Sequence, residues 1–220
     1  MRRATITGVC HALLACGTLA AAPASAPRPD VVVQLRVFPH AVVDPPTLQR
    51  TRETVSALLA SAGVQVEWRD CPLTDLSCGG QAPSGAIVVR LLPSRSSGGH
   101  VFGETVHGFD RDATVLLYVP GTIELTRSVR LSAAGRSNPA LATLEVGHVL
   151  GLTMAHEVGH VLGLRHAVSG VMKAQFAIED LVALRVSRLT FTPGEGAGMR
   201  LAISAGPTEV VASAPAPLIP

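Results

Sequence analysis

The sequence predicts an α+β fold in which one mixed, twisted sheet is backed by helices. Segments typical of strands occupy the first half of the chain, with one helical segment between the first two. A long helical segment follows the last of these strands. The chain has 220 residues, of which 47% are hydrophobic, so it can bury the core of one domain.

Five segments have the continuous apolar runs or the apolar–polar alternation that is typical of strands. They are residues 31–38, 64–68, 86–92, 100–106 and 114–119. The first is a continuous run rich in β-branched side chains, and the second alternates between apolar and polar side chains. This order of elements favours a single sheet with helices packed against it.

Three segments are predicted to be helical from the spacing of their apolar side chains and from their end signals. They are residues 47–62, 139–162 and 178–188. Gly63 ends the first helix. Asn138 followed by Pro139 is a typical start for the second, and Gly163 is its predicted stop. Residues 122–137 have no clear assignment.

The first 26 residues are interpreted as an export signal. Two arginines are followed by an apolar run and by Ala24-Ser25-Ala26, which is a small-x-small cleavage site. A second interpretation stays open, in which Cys16 in a lipobox-like sequence is lipidated and anchors the chain. Both interpretations predict that the protein is secreted or lies in the periplasm or cell envelope.

The folded domain is predicted to span residues 27–191. Residues 192–220 are rich in Gly, Pro and Ala, and their tail from about Pro207 is predicted to be disordered. Within the domain, Cys71 and Cys78 share one Pro- and Gly-rich segment. In an oxidising compartment we expect them to form a disulfide, with two free thiols as the alternative.

The charge pattern excludes one class of function. Only 15% of the residues are charged, the formal net charge is +2, and the basic residues do not cluster. Proteins that bind nucleic acid normally present a clustered basic face. Nucleic acid is therefore not an expected partner, and the oligomeric state cannot be inferred from the sequence.

The side chains that can carry chemistry are concentrated in HEVGHVLGLRH, at residues 156–166. His156 and His160 are four residues apart, so they share one face of a helix and can bind the same metal ion. Gly163 can take the left-handed conformation that ends a helix, and the reversed chain can then return His166 as a third ligand. Three protein ligands leave a fourth position open, which is typical of catalytic zinc.

Glu157 follows the first histidine and is expected beside the metal rather than on it. We predict that it is the general base, which takes a proton from a zinc-activated water and passes it to the leaving amine. The motif therefore predicts a zinc-dependent endopeptidase that acts on a peptide or protein substrate.

An octapeptide, EVGHVLGL, occurs twice, at residues 145–152 and 157–164. The first copy has no histidine before its glutamate and none at the position that matches His166. It therefore lacks two of the three ligands. His148, in this first copy, is interpreted as a structural histidine.

The pattern HExxHxxGxxH resembles the zinc signature of the metzincin peptidases, and most closely that of matrixin-like members such as small secreted bacterial proteins. The segment SGVM, at residues 169–172, resembles the family's Met-turn. The resemblance covers about residues 144–184. It implies a zincin-like fold, in which the active-site helix is followed by a Met-turn at Met172 and by a C-terminal helix, and it makes residues 27–191 the catalytic domain.

The same resemblance implies further metal sites, because matrixins often bind a second zinc and calcium upstream of the catalytic zinc. His100, His107, Asp110 and Asp112 lie in the corresponding region of this chain. Solvated loop residues are the alternative interpretation of these four side chains.

Two other functions stay open. One is a non-catalytic zinc-binding protein of the cell envelope, although such a protein has no need of a base at Glu157. The other is a zinc amidase that acts on cell-wall peptide, since attack by a zinc-activated water does not distinguish one type of amide from another.

Overall fold

The computed structural model describes residues 31–75, 78, 85–94, 101–107 and 113–205. Its strands are β1 (Val31–Pro39), β2 (Val64–Asp70), β3 (Ile87–Leu92), β4 (Gly103–His107) and β5 (Ala113–Tyr118). Its helices are α1 (Pro45–Ser61), α2 (Val119–Leu131), α3 (Ala133–Ser137), α4 (Pro139–Ala142), α5 (Val146–Val161), α6 (Ile178–Arg185) and α7 (Pro193–Ala205). These elements form an α+β fold, as the sequence predicts. The predicted leader, with Cys16, and the predicted tail from Pro207 lie outside the described residues.

The five strands form one mixed sheet in the order β2-β1-β3-β5-β4. The first four strands in this order are parallel to their neighbours. β4 lies at the edge and runs antiparallel to β5, with Gly103 opposite Leu117 and Thr105 opposite Val115. The edge strand β4 is therefore held in a fixed register by β5, whose inward-facing side chains are buried.

One face of the sheet carries the core. Alternate residues of β1, β3 and β5 are buried on this face, as period-2 alternation requires. The buried side chains include Val33, Leu35, Val37, Ile87, Val89, Leu91, Val115 and Leu117. α5 packs against β4 and β5, α1 packs against β2, and α1 and α5 pack against each other. None of the helices in the described part of the chain is long and apolar enough to cross a membrane.

Two glycines allow α1 and α5 to pack closely. A Cβ atom on Gly147 would lie 2.6 Å from the carbonyl oxygen of Thr47 and 2.6 Å from Cβ of Arg50. A Cβ atom on Gly151 would lie 2.6 Å from Cβ of Thr54 and 2.9 Å from the carbonyl oxygen of Thr51. These atoms belong to the backbone of α1 or lie next to it, so they cannot move without moving the helix.

Gly151→Ala should therefore destabilise the fold, although alanine favours a helix more than glycine does. We expect a loss of about 1–3 kcal/mol, the usual effect of overpacking a rigid contact, measured by thermal or denaturant unfolding. Gly194→Ala is the matched control, because Gly194 lies in α7 and a Cβ atom there would meet nothing within 4 Å. Equal stability of the two variants would contradict this account of the helix contact.

The prediction of one long helix from Pro139 to Leu162 is wrong, because residues 143–145 are not helical and separate two helices. α4 ends at Ala142, and α5 begins at Val146. Glu145 caps the new helix, since its backbone N–H donates to Nδ1 of His148, 3.1 Å away. Residues 119–137, most of which had no assignment, form α2 and α3.

The start of the Gly/Pro/Ala-rich segment is helical, which the sequence analysis missed. Thr192 and Glu195 form a reciprocal cap for α7: the N–H of Thr192 donates to Oε2 of Glu195, and the N–H of Glu195 donates to Oγ1 of Thr192. The helix buries Met199, and its Arg200 donates to the carbonyl oxygen of Ala62 after the end of α1. α7 therefore belongs to the folded domain.

Cys71 and Cys78 lie in position to form the expected disulfide. Their Cα atoms are 5.5 Å apart, within the usual range for bonded cysteines, and both residues are buried. The N–H of Cys71 donates to the carbonyl oxygen of Val37, and the guanidinium of Arg36 donates to the carbonyl oxygen of Cys78. The pair thus ties the segment that follows β2 to β1.

Mass spectrometry of unreduced protein made in an exporting host should find the peptides of Cys71 and Cys78 linked. Replacing both cysteines by alanine should lower stability by about 2 kcal/mol, as expected for the short loop that they close. Free, alkylatable thiols at both positions would refute the pairing.

Candidate metal centre and cleft

Three histidine side chains converge at the C-terminal part of α5. The helix supplies His156 and His160, and Gly163 ends it in the left-handed region with φ +84°. The reversed chain then brings His166 back toward the helix. Nε2 of His160 lies 3.0 Å from Nε2 of His156 and 3.2 Å from Nε2 of His166. The structure thus brings together the three ligands that the sequence predicts.

Backbone carbonyls fix the orientation of two of these rings. Nδ1 of His156 lies 2.8 Å from the carbonyl oxygen of Val171, and Nδ1 of His160 lies 2.9 Å from that of Leu164. A carbonyl can only accept, so Nδ1 of each ring carries a proton, and in the neutral imidazole Nε2 keeps its lone pair. Two neutral rings arranged in this way direct both lone pairs at the space between them, where a cation can bind.

The three nitrogens fit zinc. Bonds of 2.0–2.1 Å in a tetrahedron separate two nitrogen ligands by about 3.3 Å, close to the observed separations. Burial lowers the pKa of His156 to about 4, an effect that its hydrogen bond to Val171 opposes and that His160 and His166 add to. The imidazole is therefore neutral at physiological pH, which is the form that binds a metal.

Glu157 lies beside the three histidines and is 7% exposed. Oγ1 of Thr105, on β4, lies 2.9 Å from Oε2 of Glu157. Burial raises the pKa of the Glu157 carboxyl, and the hydrogen bond from Thr105 lowers it in part. A buried carboxyl with a raised pKa is a stronger base than an ordinary glutamate, and it can still return the proton that it accepts.

Met172 packs directly beneath the part of α5 that carries His156 and His160. It is fully buried, and a Cβ atom on Gly159 would lie 2.5 Å from its Sδ. The turn that carries it is closed by a hydrogen bond from the N–H of Ala167 to the carbonyl oxygen of Met172. Because Val171 orients His156, this turn supports the metal site through its backbone as well as through the methionine side chain.

A cleft of about 1000 Å³ opens in front of the histidines and Glu157. Phe176 forms part of its wall, with its ring centroid 5.8 Å from that of His156 in an edge-on arrangement. Much of the remaining wall is aliphatic and comes from α2, α5 and α6. It includes Leu125, Val129, Val149, Leu152, Ile178 and Leu181. The cleft can therefore hold an extended ligand with an apolar side chain next to the reactive groups.

His148 lies outside this group. Its Nδ1 accepts from the N–H of Glu145, and its Nε2 lies 2.7 Å from Nη1 of Arg185. Burial and the charge of Arg185 lower its pKa to about 4. These contacts agree with the structural role that the sequence predicts for His148.

The suggested second metal site stays a prediction. His107 belongs to β4, whereas His100, Asp110 and Asp112 lie outside the described residues.

Sequence reasoning missed three residues that shape the site, namely Gly103, Thr105 and Phe176. Each is distant in sequence from Glu157, and no local pattern marks it.

No protein-family model and no curated protein matches the chain. Among solved structures, the chain is similar to archaemetzincin from Methanopyrus kandleri, with 18% identity, a TM-score of 0.45, and coverage of 78% of this chain and 96% of that one. It is also similar to metalloproteinase-II from Bacteroides fragilis, with 12% identity and a TM-score of 0.49. That match covers 79% of this chain and 53% of the other, so this chain spans about half of its length.

Proposed function

We propose that this chain is a zinc-dependent endopeptidase of the metzincin type, matrixin-like in its zinc-binding segment. One observation carries the proposal: three imidazole nitrogens, two of them on rings orientated by backbone carbonyls, meet a buried carboxylate at the floor of an open, largely apolar cleft. His156, His160 and His166 would hold the zinc ion. Zinc held by three protein ligands supplies a Lewis acid that lowers the pKa of water at its open position.

The residues of the chain supply the remaining steps. The cleft binds an extended peptide and holds the scissile amide next to Glu157 and the three histidines. Glu157 takes a proton from the water that attacks that amide and returns it to the leaving nitrogen. A side-chain nucleophile is not required. The raised pKa of Glu157 favours both transfers, because the carboxyl becomes a better base without losing its ability to give the proton back.

A broad peptide library tests this function. Zinc-loaded wild-type protein should cleave internal peptide bonds, and cleavage should favour sites next to a bulky apolar side chain that the aliphatic wall can bind. Crosslinked cell-wall peptide is the second substrate class to include. Cleavage of that material alone would identify a zinc amidase, and no hydrolysis of either class would favour a non-catalytic zinc protein.

Export is part of the same proposal. The leader-like residues 1–26 and the paired cysteines Cys71 and Cys78 both suit an oxidising compartment outside the cytoplasm. The mass of protein recovered from an exporting host should correspond to a chain that begins at Pro27 or, if the lipid anchor is used, at a lipidated Cys16. An unprocessed chain retained in the cytoplasm would contradict export.

A further inference from the structure

The edge strand β4 touches Glu157 directly. Oγ1 of Thr105 lies 2.9 Å from Oε2 of Glu157 and 3.1 Å from the backbone carbonyl oxygen of the same residue. Both atoms of Glu157 are acceptors and the hydroxyl has a single proton, so the shorter contact, to Oε2, is the one in which that proton ties the carboxylate to β4. A buried carboxylate needs such a donor, since leaving it unpaired is costly.

A glycine makes this contact possible. Gly103 precedes Thr105 by two residues and therefore faces the same side of the strand. A Cβ atom at Gly103 would lie 2.7 Å from Cγ2 of Thr153 and 3.0 Å from Cγ of Glu157. Any larger residue would push β4 away from α5, and the hydroxyl of Thr105 would move with it.

The sheet holds this hydroxyl in place. Thr105 lies opposite Val115, and Gly103 lies opposite Leu117, in the antiparallel pair of β4 and β5. Val115 and Leu117 are fully buried in the core. The donor therefore projects from a strand whose position is set by the packed core, which is a more rigid support than a loop.

We propose that Thr105 is the positioning residue for the general base. Its hydroxyl binds Oε2 of Glu157 and fixes the carboxylate in the rotamer that faces the cleft. Oε1 is then the oxygen that takes the proton. A glutamate side chain has three rotatable bonds, and without this contact its carboxylate would spread over several rotamers. The inference rests on the proposed peptidase function.

Thr105→Val tests it, because valine keeps the branched shape and the strand preference but removes the donor. We expect kcat to fall about 10- to 100-fold, as for the loss of a hydrogen bond to a charged group, while KM and zinc content stay close to wild type. Thr105→Ser should restore most of the lost kcat. Gly103→Ala should show part of the same defect.

Thr126→Val is the matched control. Thr126 is also buried, its Oγ1 donates to the carbonyl oxygen of Thr122 in its own helix, and it does not line the cleft. It should change stability but leave kcat unchanged. Wild-type kcat in folded, zinc-loaded Thr105→Val would overturn the proposal, as would Thr105→Ser with a defect as large as that of Thr105→Val.

Crystal structures of wild type and Thr105→Val separate this inference from the function on which it rests. In the variant the carboxylate of Glu157 should leave its position or become disordered. A carboxylate that stays in place would overturn the positioning role, whatever the activity. If zinc-loaded wild type cleaves nothing yet the carboxylate moves in the variant, the peptidase function fails and the positioning of Glu157 stands.

Discussion

Glu157→Gln should lower peptide hydrolysis by at least about 100-fold, the usual loss when a general base is removed. Glutamine has nearly the same size, and its amide oxygen can still accept from Oγ1 of Thr105, so the cleft should keep its shape. The three imidazoles are untouched, and zinc content should therefore remain that of wild type. Initial rates and zinc should be measured in the same samples.

The exposed Glu124 on α2 supplies a matched control, since Glu124→Gln makes the same chemical change at a residue that does not line the cleft. It should leave both rate and zinc content unaltered. Unchanged hydrolysis in Glu157→Gln would show that the assigned base is wrong. A variant that also loses zinc would instead place Glu157 among the ligands.

The cluster of three histidines could be predicted from the sequence because its determinants are local. The four-residue spacing of His156 and His160 needs only a helix, and the return of His166 needs only a helix stop at Gly163. The observed φ of +84° at Gly163 is the conformation that this prediction requires. The sheet was predictable for a similar reason, since each strand carries its own apolar pattern.

The repeated octapeptide shows where local sequence stops being sufficient. Glu145 caps α5, whereas its counterpart, Glu157, lies within the C-terminal part of the helix beside the histidines. Gly151 packs against α1, whereas its counterpart, Gly163, ends the helix. The letters are identical, and their roles differ because the neighbouring elements differ. The structural role of a residue in one copy therefore does not predict the role of its counterpart in the other.

The elements that were missed fall into two kinds. α7 had a local signal, since Thr192 and Glu195 have the spacing of a capping box, but the glycines around it obscured the signal. Thr105 had none, because it is 52 residues from Glu157 and reaches it only when β4 pairs with β5 and packs on α5. Contacts made by sheet pairing are outside the range of any periodic pattern.

His160→Ala should remove both zinc and activity, which distinguishes a ligand from the general base. Nε2 of His160 is within 3.2 Å of Nε2 of both His156 and His166, so His160 is the histidine that lies next to both of the others. Its loss leaves two protein ligands, too few for a zinc site of this type, and zinc should fall far below about one ion per chain. Hydrolysis should fall at least as far as in Glu157→Gln.

His148→Ala is the control that the repeat itself provides, because His148 occupies the position of His160 in the first copy. It removes a histidine from the same helix, together with the ring nitrogen that accepts from the N–H of Glu145 at the start of α5. The free energy of unfolding should therefore fall by about 1 kcal/mol, while zinc content stays that of wild type. Elemental analysis and unfolding curves of the same preparations separate the two effects. Equal zinc in wild type and in the double variant His156→Ala, His160→Ala would mean that the metal, if present, is held elsewhere, and the proposed mechanism would have to be abandoned.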